Sequence, residues 1–546
     1  MNYKDLADLI FPEVKLSIED LLEKYPSRDL EKGAKVTRVA PSPTGYLHIG
    51  GFYQILTDYI YAKKSNGVFI LRIEDTDQAR EVSDAAKLIF DSLKYYNIAP
   101  DEFEDETKVV GEYGPYYQSK RKEIYHVFIK HLIEKNMAYP CFCKKEDLEE
   151  LRTEQESKKI RIGYYKEHAI CRNLTPDEAA KLIKEGTPYG IRFRSMGDFD
   201  NKVIVDDAVK GRIELPENDQ DIIIMKAENK LPTYHFAHVV DDTLMHTTHV
   251  IRGEDWLPST PVHLQLFKAF GFKVPTYLHT PLIVKQDGDK IRKISKRKDP
   301  EASMSYFEEL GYPTLAVIES IMTIINSNYE SWHTANPNLL FTDFDFSPKK
   351  MSSSGSFYDL EKLDNISKNY LSKLSASEVY DNYLDWTKKY DLDMFELINK
   401  YSDYTTNILN IERVQKKPRK DYANYSSIKN QIWYMYDELF DLFDNYEFQL
   451  IDNIEANVLA KDYLENFYNE TDEKDVWFNK IKELSVKHGY CDEVKVYKEN
   501  PDAYKGHVGD VSTALRVMLT KRSMTPDLYA IMNLLGKERM LKRTKN

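Results

Sequence analysis

Residues Lys35 to Ile73 read KVTRVAPSPTGYLHIGGFYQILTDYIYAKKSNGVFILRI, and the fold follows from them. KVTRVA is short and β-branched, the pattern of a strand. Pro41 and Pro43 then stiffen the chain and remove two backbone donors. Gly45, Gly50 and Gly51 allow backbone to approach a ligand closely. Phe52, Ile55, Leu56, Tyr59 and Ile60 follow at i, i+3, i+4, i+7 and i+8, one face of a helix. Asn66-Gly67 stops it. VFILRI is a continuous apolar run, as in a strand covered on both faces. The unit predicts strand, helix and parallel strand, with the ligand crevice at the carboxyl ends of the strands.

Three segments carry chemistry. The turn APSPTGYLHIGG opens a helix whose free N–H groups attract anions, and Thr44 and His48 add side-chain donors. That makes a phosphate cradle; the alternative is an ordinary Pro/Gly turn with a hydrogen-bonded His. RIEDTD, Arg72 to Asp77, puts three acids at the same sheet edge, where they suit an amino group or a hydroxyl; the alternative is a helix cap at Asp77. The third is KIRKISKRKDP. Between Lys285 and Lys298 there are seven Lys or Arg against two Asp. Such a run is a solvated face, a nucleic-acid patch, or a mobile loop that delivers ammonium groups to a polyphosphate.

The remaining composition sets bounds. At 546 residues, three or four domains are expected. The net charge of −13 excludes a chain that coats nucleic acid all over, but not local basic patches. Four cysteines make no disulfide framework. No apolar run approaches about 18 residues. A reducing cytoplasm, with no membrane partner, is the expectation. SIEDLLEKY reads as a helix capped by Ser17 with Asp20 three residues on, in an arm over 1–35 whose role is packing. Residues 119–225 are less regular. QDIIIMK and HTTHVIRGEDW return to sheet-like runs, and from about 345 the pattern is helical.

The P-S-P-T-G-x-x-H-I-G turn and K-I-S-K-R far downstream resemble the two signatures of class I aminoacyl-tRNA synthetases. With RIEDTD, PTYHFAHVVDD, VIRGEDW and SKRKDP the chain is similar to the glutamyl-tRNA synthetase family. ALRVMLTKRSMTPDLYAIMNLLGKERMLKR resembles that family's bacterial, all-helical anticodon-binding domain. The resemblance covers about residues 36–546. It implies an α/β fold: a Rossmann-like parallel-sheet catalytic domain, an α+β insertion and an all-α C-terminal region. The expected division is an arm over 1–35, the first catalytic half over 36–118 and an insertion for the tRNA acceptor end over 119–225. The second catalytic half with the Lys-Ile-Ser-Lys-Arg loop follows over 226–344, and the anticodon-binding region over 345–546.

The implied reaction is ATP-dependent formation of glutamyl-adenylate, then transfer to the terminal adenosine of tRNA(Glu). Positioning and charge stabilisation suffice for both steps. By resemblance Thr44, His48 and Gly50 hold ATP. Lys293, Ser295, Lys296 and Arg297 meet its phosphates, with Mg²⁺. His48, Lys293 and Lys296 are the catalytic set. Glutamate falls to Arg38, Ala40, Ser42, Glu74, Tyr234, His238 and Arg252. A substrate with two carboxylates suits two guanidiniums, either arginine serving either carboxylate. The alternative for Arg252 is a structural pair with Glu254 or Asp255.

The chain departs from the family pattern in three places. Gly51 stands for the usual final His of the first signature, His238 stands where many members have Asn, and the N-terminal arm is extra. Cys141, Cys143 and Cys171 resemble a zinc site of some members. His168 or Tyr165 would complete the tetrahedron, and free buried thiols are the favoured alternative. The last 46 residues carry nine Lys or Arg against four Asp or Glu. They suit tRNA phosphates, with Arg516 the candidate for reading the anticodon. A monomer is expected.

Several rivals share parts of the pattern. One is a form that also glutamylates tRNA(Gln). A glutaminyl-tRNA synthetase is disfavoured by the helical C-terminal reading. A small nucleotidylyltransferase has no need of such length, and a non-enzymatic paralogue has no need of His48 and Lys296.

Overall fold

The computed structural model describes residues 1–43, 45–77 and 84–544. The chain divides into two units. One is Met1–Tyr306 with Ile318–Asp359; the other is Phe307–Val317 with Leu360 onward.

The first unit is built on the expected strand, helix and strand. Val36–Val39, buried throughout, pairs in parallel with Val68–Leu71, Val36 opposite Val68 and Val39 opposite Leu71. Helix Ile49–Lys64 connects them. Asn66 takes a left-handed φ of 52° just after the helix ends. A Cβ on Gly67 would lie 1.9 Å from the Lys35 carbonyl oxygen, so the return to the sheet admits only glycine. At the opposite edge the Thr248 N–H donates to the Val36 carbonyl at 2.9 Å, which brings His249–Gly253 alongside. That strand pairs in parallel with Thr276–Thr280. Successive strands therefore leave Val36–Val39 on both sides, and the crevice lies where they diverge.

Thr276–Thr280 also meets the antiparallel pair Lys202–Asp207 and Gly211–Pro216, through Tyr277 opposite Asp207. A separate antiparallel sheet of Ala138–Cys141, Gly190–Phe193 and Ile223–Met225 forms the α+β insertion. The arm folds as helices Tyr3–Ile10 and Ile18–Lys24, each opened by a capping box; the second pairs Ser17 with Asp20 as expected. Leu6, Ile10, Phe11 and Leu21 share one core with Phe128 and Phe236, so the arm packs as part of the unit. Part of the basic run is ordered as a hairpin, Ile283–Asp287 against Lys290–Lys293; the loop proper begins after it.

The second unit is helical. Among the described residues no strand follows Ser356–Phe357. Helices Ala376–Tyr390, Asn453–Asn466, Lys474–Lys487, Val508–Thr520 and Leu528–Arg543 enclose an aromatic-rich core that includes Tyr383, Tyr463, Trp477 and Met532. No helix of the described residues is long and apolar enough to cross a membrane.

Candidate active site

Backbone pairing brings the two signature segments together. His48 and Ser303 form an antiparallel bridge, and the Met304 N–H donates to the Leu47 carbonyl at 3.0 Å. The Lys296 ammonium hydrogen-bonds the Tyr46 carbonyl. Lys293 reaches Asp255 at 2.7 Å. His48 caps helix Ile49–Lys64, its Nδ1 accepting the Gly50 N–H at 2.9 Å. That bond puts the ring proton on Nε2. Burial, then the nearby Lys296 and Lys293 ammoniums, push the imidazole down to about 4, so it is neutral at pH 7. A Cβ on Gly50 would stand 3.2 Å from His48 Nδ1, which explains a small residue there. Ser295, Lys296 and Arg297 lie in the loop beyond the hairpin, with Lys296 and Arg297 exposed. Asp299 holds this loop from behind. It accepts the Ser295 N–H at 2.9 Å and two Arg292 donors at 2.7 and 2.8 Å. Thr44 lies outside the described residues; Ser42 is exposed and Ala40 half-buried at the strand end.

Deeper in the crevice is a buried ionic network. Arg38, on Val36–Val39, donates Nε to both Asp242 oxygens at 3.2 Å. Arg72, fully buried, donates to Asp242 at 2.7 Å and to Glu74 at 3.2 Å. Asp242 pays for its own desolvation through these cations: burial alone would raise its carboxyl, but Arg38 and Arg72 hold it well below the ordinary range. Glu74 goes the other way, pushed by burial up to about 7 despite Arg72 and Arg38. Behind it, Asp241 accepts from Gln118 at 2.9 Å, Arg121 at 2.7 Å and Tyr125 at 2.8 Å.

Helix Tyr234–Leu244 lays Tyr234, His238 and Asp242 on one face, at i, i+4 and i+8. The Tyr234 and His238 rings are stacked, 5.9 Å apart. His238 is buried; its Nδ1 stands 2.6 Å from Asp242 and its Nε2 2.9 Å from the Tyr277 hydroxyl. Nε2 is thus hydrogen-bonded to the protein, and Nδ1 lies against the Asp242 carboxylate. Arg252 is held by Tyr234, His263, His279, Thr260 and the Trp256 carbonyl. Glu254 instead meets Lys210, and Asp255 meets Lys293, so the pairing of Arg252 with either acid is not formed.

The three insertion cysteines converge, with their sulfurs within 4.8 Å of one another. Cys143 and Cys171 Sγ are 3.6 Å apart. The Tyr164 hydroxyl sits 3.3 Å from Cys143 Sγ and 3.6 Å from Cys141 Sγ, and Arg192 Nε donates to Cys141 Sγ at 3.2 Å. Hydrogen bonds from Cys143 and Cys171, and the Arg192 guanidinium, hold the Cys141 thiol well below its ordinary range. The oxygen facing the sulfurs is that of Tyr164. The Tyr165 hydroxyl instead bonds the Arg161 carbonyl at 2.7 Å, and His168 is not part of the cluster. In the second unit Arg516 is half-buried, its Nη1 donating to the Thr525 and Pro526 carbonyls at 3.1 and 2.9 Å.

The sequence reading missed the residues that surround its candidates: Arg72, Asp241, Asp242, Asp299, His263 and His279. A signal existed for Asp242, four residues after His238 on a helix face; none existed for His263 and His279, which tertiary packing brings to Arg252 from helix Thr260–Phe270 and strand Thr276–Thr280.

The profile of tRNA synthetases class I (E and Q), catalytic domain, matches residues 35–364, and that of an anticodon binding domain matches 496–546. A glutamate–tRNA ligase of Acetivibrio thermocellus is 46% identical over 546 residues, covering 100% of this chain and 99% of that protein. One of Clostridium perfringens strain 13 is 45% identical, covering 100% of both. Both alignments run the length of this chain, so the N-terminal arm is not an addition peculiar to it. Among solved structures, a glutamate tRNA ligase from Elizabethkingia meningosepticum, in complex with its amino acid, superposes with a TM-score of 0.75. It is 26% identical, with 93% of this chain and 98% of that one covered. With both signatures joined at one sheet edge and these matches along its length, the chain belongs to the class I tRNA synthetases of the E and Q group.

Proposed function

We propose that this chain is a glutamate–tRNA ligase, joining glutamate to tRNA(Glu) with ATP converted to AMP and diphosphate. The observation that carries the reading is the approach of the two signature segments, through the His48–Ser303 bridge and the Lys296 bond to the Tyr46 carbonyl, in a unit that also buries two guanidiniums and one carboxylate, Arg38, Arg252 and Glu74.

In the first step a glutamate α-carboxylate oxygen attacks the α-phosphorus of ATP and diphosphate leaves. Thr44, His48 and Gly50 cradle the triphosphate, His48 donating from Nε2 as a neutral group. Lys293 and Lys296 leave Asp255 and the Tyr46 carbonyl to offset charge on the β- and γ-phosphates. Ser295 and Arg297 flank them, and Mg²⁺ enters as the counter-ion of the triphosphate. Glu74 accepts the substrate ammonium. Arg38, already half-compensated by Asp242, takes the α-carboxylate. Arg252, which among the described residues hydrogen-bonds only neutral acceptors, reads the side-chain carboxylate with Tyr234. Ala40 and Ser42 line the strand end, and His238 orients Asp242 and Tyr277. In the second step a terminal ribose hydroxyl of tRNA attacks the acyl carbon and AMP leaves.

Residues 119–225 receive the acceptor end, 36–118 and 226–344 form the catalytic halves, and 345–546 meet the anticodon, with Arg516 beside it. Zinc suits the insertion. A tetrahedral ion with Zn–S bonds of about 2.3 Å wants sulfurs about 3.8 Å apart, near the 3.6 Å between Cys143 and Cys171. Cys141, Cys143, Cys171 and Tyr164 would hold it, in a purely structural role. Action as a monomer in the cytoplasm completes the proposal.

The test is aminoacylation with labelled glutamate on purified tRNA(Glu) and tRNA(Gln) in parallel, with glutamine as a second amino acid. Glutamate transfer to tRNA(Glu) supports the reading. No glutamate transfer to either tRNA, beside a working control enzyme, would overturn it.

A further inference from the structure

The surroundings of Arg252 are unlike those of Arg38, Arg72 and Arg121, the buried arginines nearest the candidate site in the first unit. Arg38, Arg72 and Arg121 each touch an aspartate. Around Arg252, among the described residues, every hydrogen-bond acceptor is neutral. Nε donates to His279 Nε2 at 3.0 Å. One terminal nitrogen donates to His263 Nδ1 at 3.0 Å and to the Tyr234 hydroxyl at 3.3 Å. The other donates to Thr260 Oγ1 at 2.9 Å and the Trp256 carbonyl at 3.3 Å. The Tyr277 ring lies under the guanidinium, 4.7 Å away.

A guanidinium only donates, so both imidazoles accept, and their tautomers are fixed. The His263 proton sits on Nε2 and is donated to His235 Nδ1 at 3.0 Å. The His279 proton sits on Nδ1 and is donated to Asp207 at 2.7 Å. The nearest anion on this path is thus one imidazole removed from Arg252. Asp207 is itself capped by the Val209, Lys210 and His279 N–H groups. Both His263 and His279 are fully buried, and a second buried cation against Arg252 would be costly.

We propose that His263 and His279 are specificity-determining positioning residues: they fix Arg252 through neutral acceptors and so reserve its whole charge for a substrate carboxylate. An aspartate or glutamate in their place would fix the guanidinium equally well but neutralise it. An anionic substrate side chain would then compete with a built-in anion, whereas a neutral amide would lose little. The advantage of glutamate over glutamine therefore depends on imidazoles that touch neither substrate. Burial keeps both rings below the ordinary histidine range, consistent with that neutral role. The inference rests on the ligase reading above.

The experiment compares His263→Gln with His263→Glu in the full chain, charging tRNA(Glu), with KM for glutamate, KM for ATP, kcat and competition by glutamine measured for each. The expected result is a KM for glutamate raised about threefold by Gln but about 30-fold or more by Glu, with KM for ATP within about twofold. Competition by glutamine relative to glutamate should strengthen about tenfold in the Glu variant alone. Thermal melting checks folding, and if the His263→Glu protein does not fold, His279→Gln against His279→Glu decides by the same criterion. Equal KM values for the Gln and Glu variants would overturn the proposal. A wild-type protein that charges no glutamate would overturn the ligase reading instead.

Discussion

Arg72 stands between two acids, donating to Asp242 at 2.7 Å and to Glu74 at 3.2 Å. Asp241 also faces its Nε at 3.7 Å, and burial pushes Glu74 up to about 7 despite the guanidinium beside it. In the proposed reading Glu74 meets the substrate ammonium, which requires it ionised. Below pH 7 a growing share is protonated, so affinity falls with falling pH. The KM for glutamate should rise up to about tenfold per pH unit below 7 and level off above 8. Steady-state charging between pH 6 and 8.5 reads this, as does Glu74→Gln, which should raise KM about 100-fold and flatten the profile. A wild-type KM that does not change across that range would sink the assignment.

His48 carries its proton on Nε2 and, at about 4, stays neutral across the working range. His48→Ala should lower kcat by about 10² to 10³ and leave the KM for glutamate nearly unchanged. An acid limb in kcat that disappears in this variant would contradict the neutral role.

Asp299 ties Arg292, Lys285 and the Ser295 N–H to one carboxylate, and the Arg292 guanidinium above all, with the Ser295 N–H and the Lys285 ammonium, holds it well below the ordinary range. Asp299→Asn should release the loop that carries Lys296. We expect kcat to fall about tenfold and KM for ATP to rise, with KM for glutamate within about twofold. An equal rise in both KM values would point to general unfolding, not loop release.

Metal analysis of protein purified without chelators should find about one zinc per chain, and Tyr164→Phe should weaken retention about tenfold or more against a competing chelator. Protein that carries no zinc even after reconstitution would leave the three cysteines as free thiols.

Much of the fold was legible because it is local. The strand at Val36, the helix after His48, the stop at Asn66-Gly67 and the Ser17 cap are each set by residues within a few positions of one another. The helical second unit was legible from its pattern as well. The surroundings of the site were not. Arg252 and His263, 11 residues apart on a strand and a helix, and Arg72 and Asp242, 170 residues apart, show no mutual signal, because tertiary packing alone makes them meet. The sequence offered His168 or Tyr165 beside the cysteines, whereas the hydroxyl that faces the sulfurs is that of Tyr164, next to the turn at Gly163.

The sequence by itself determined the chemistry available, two signature segments with a histidine, lysines, arginines and a glutamate, because side-chain type and backbone stiffness are local properties. Only the tertiary structure decided which arginine is neutralised and which keeps its charge, because the field at a buried group is set by neighbours that folding alone brings near.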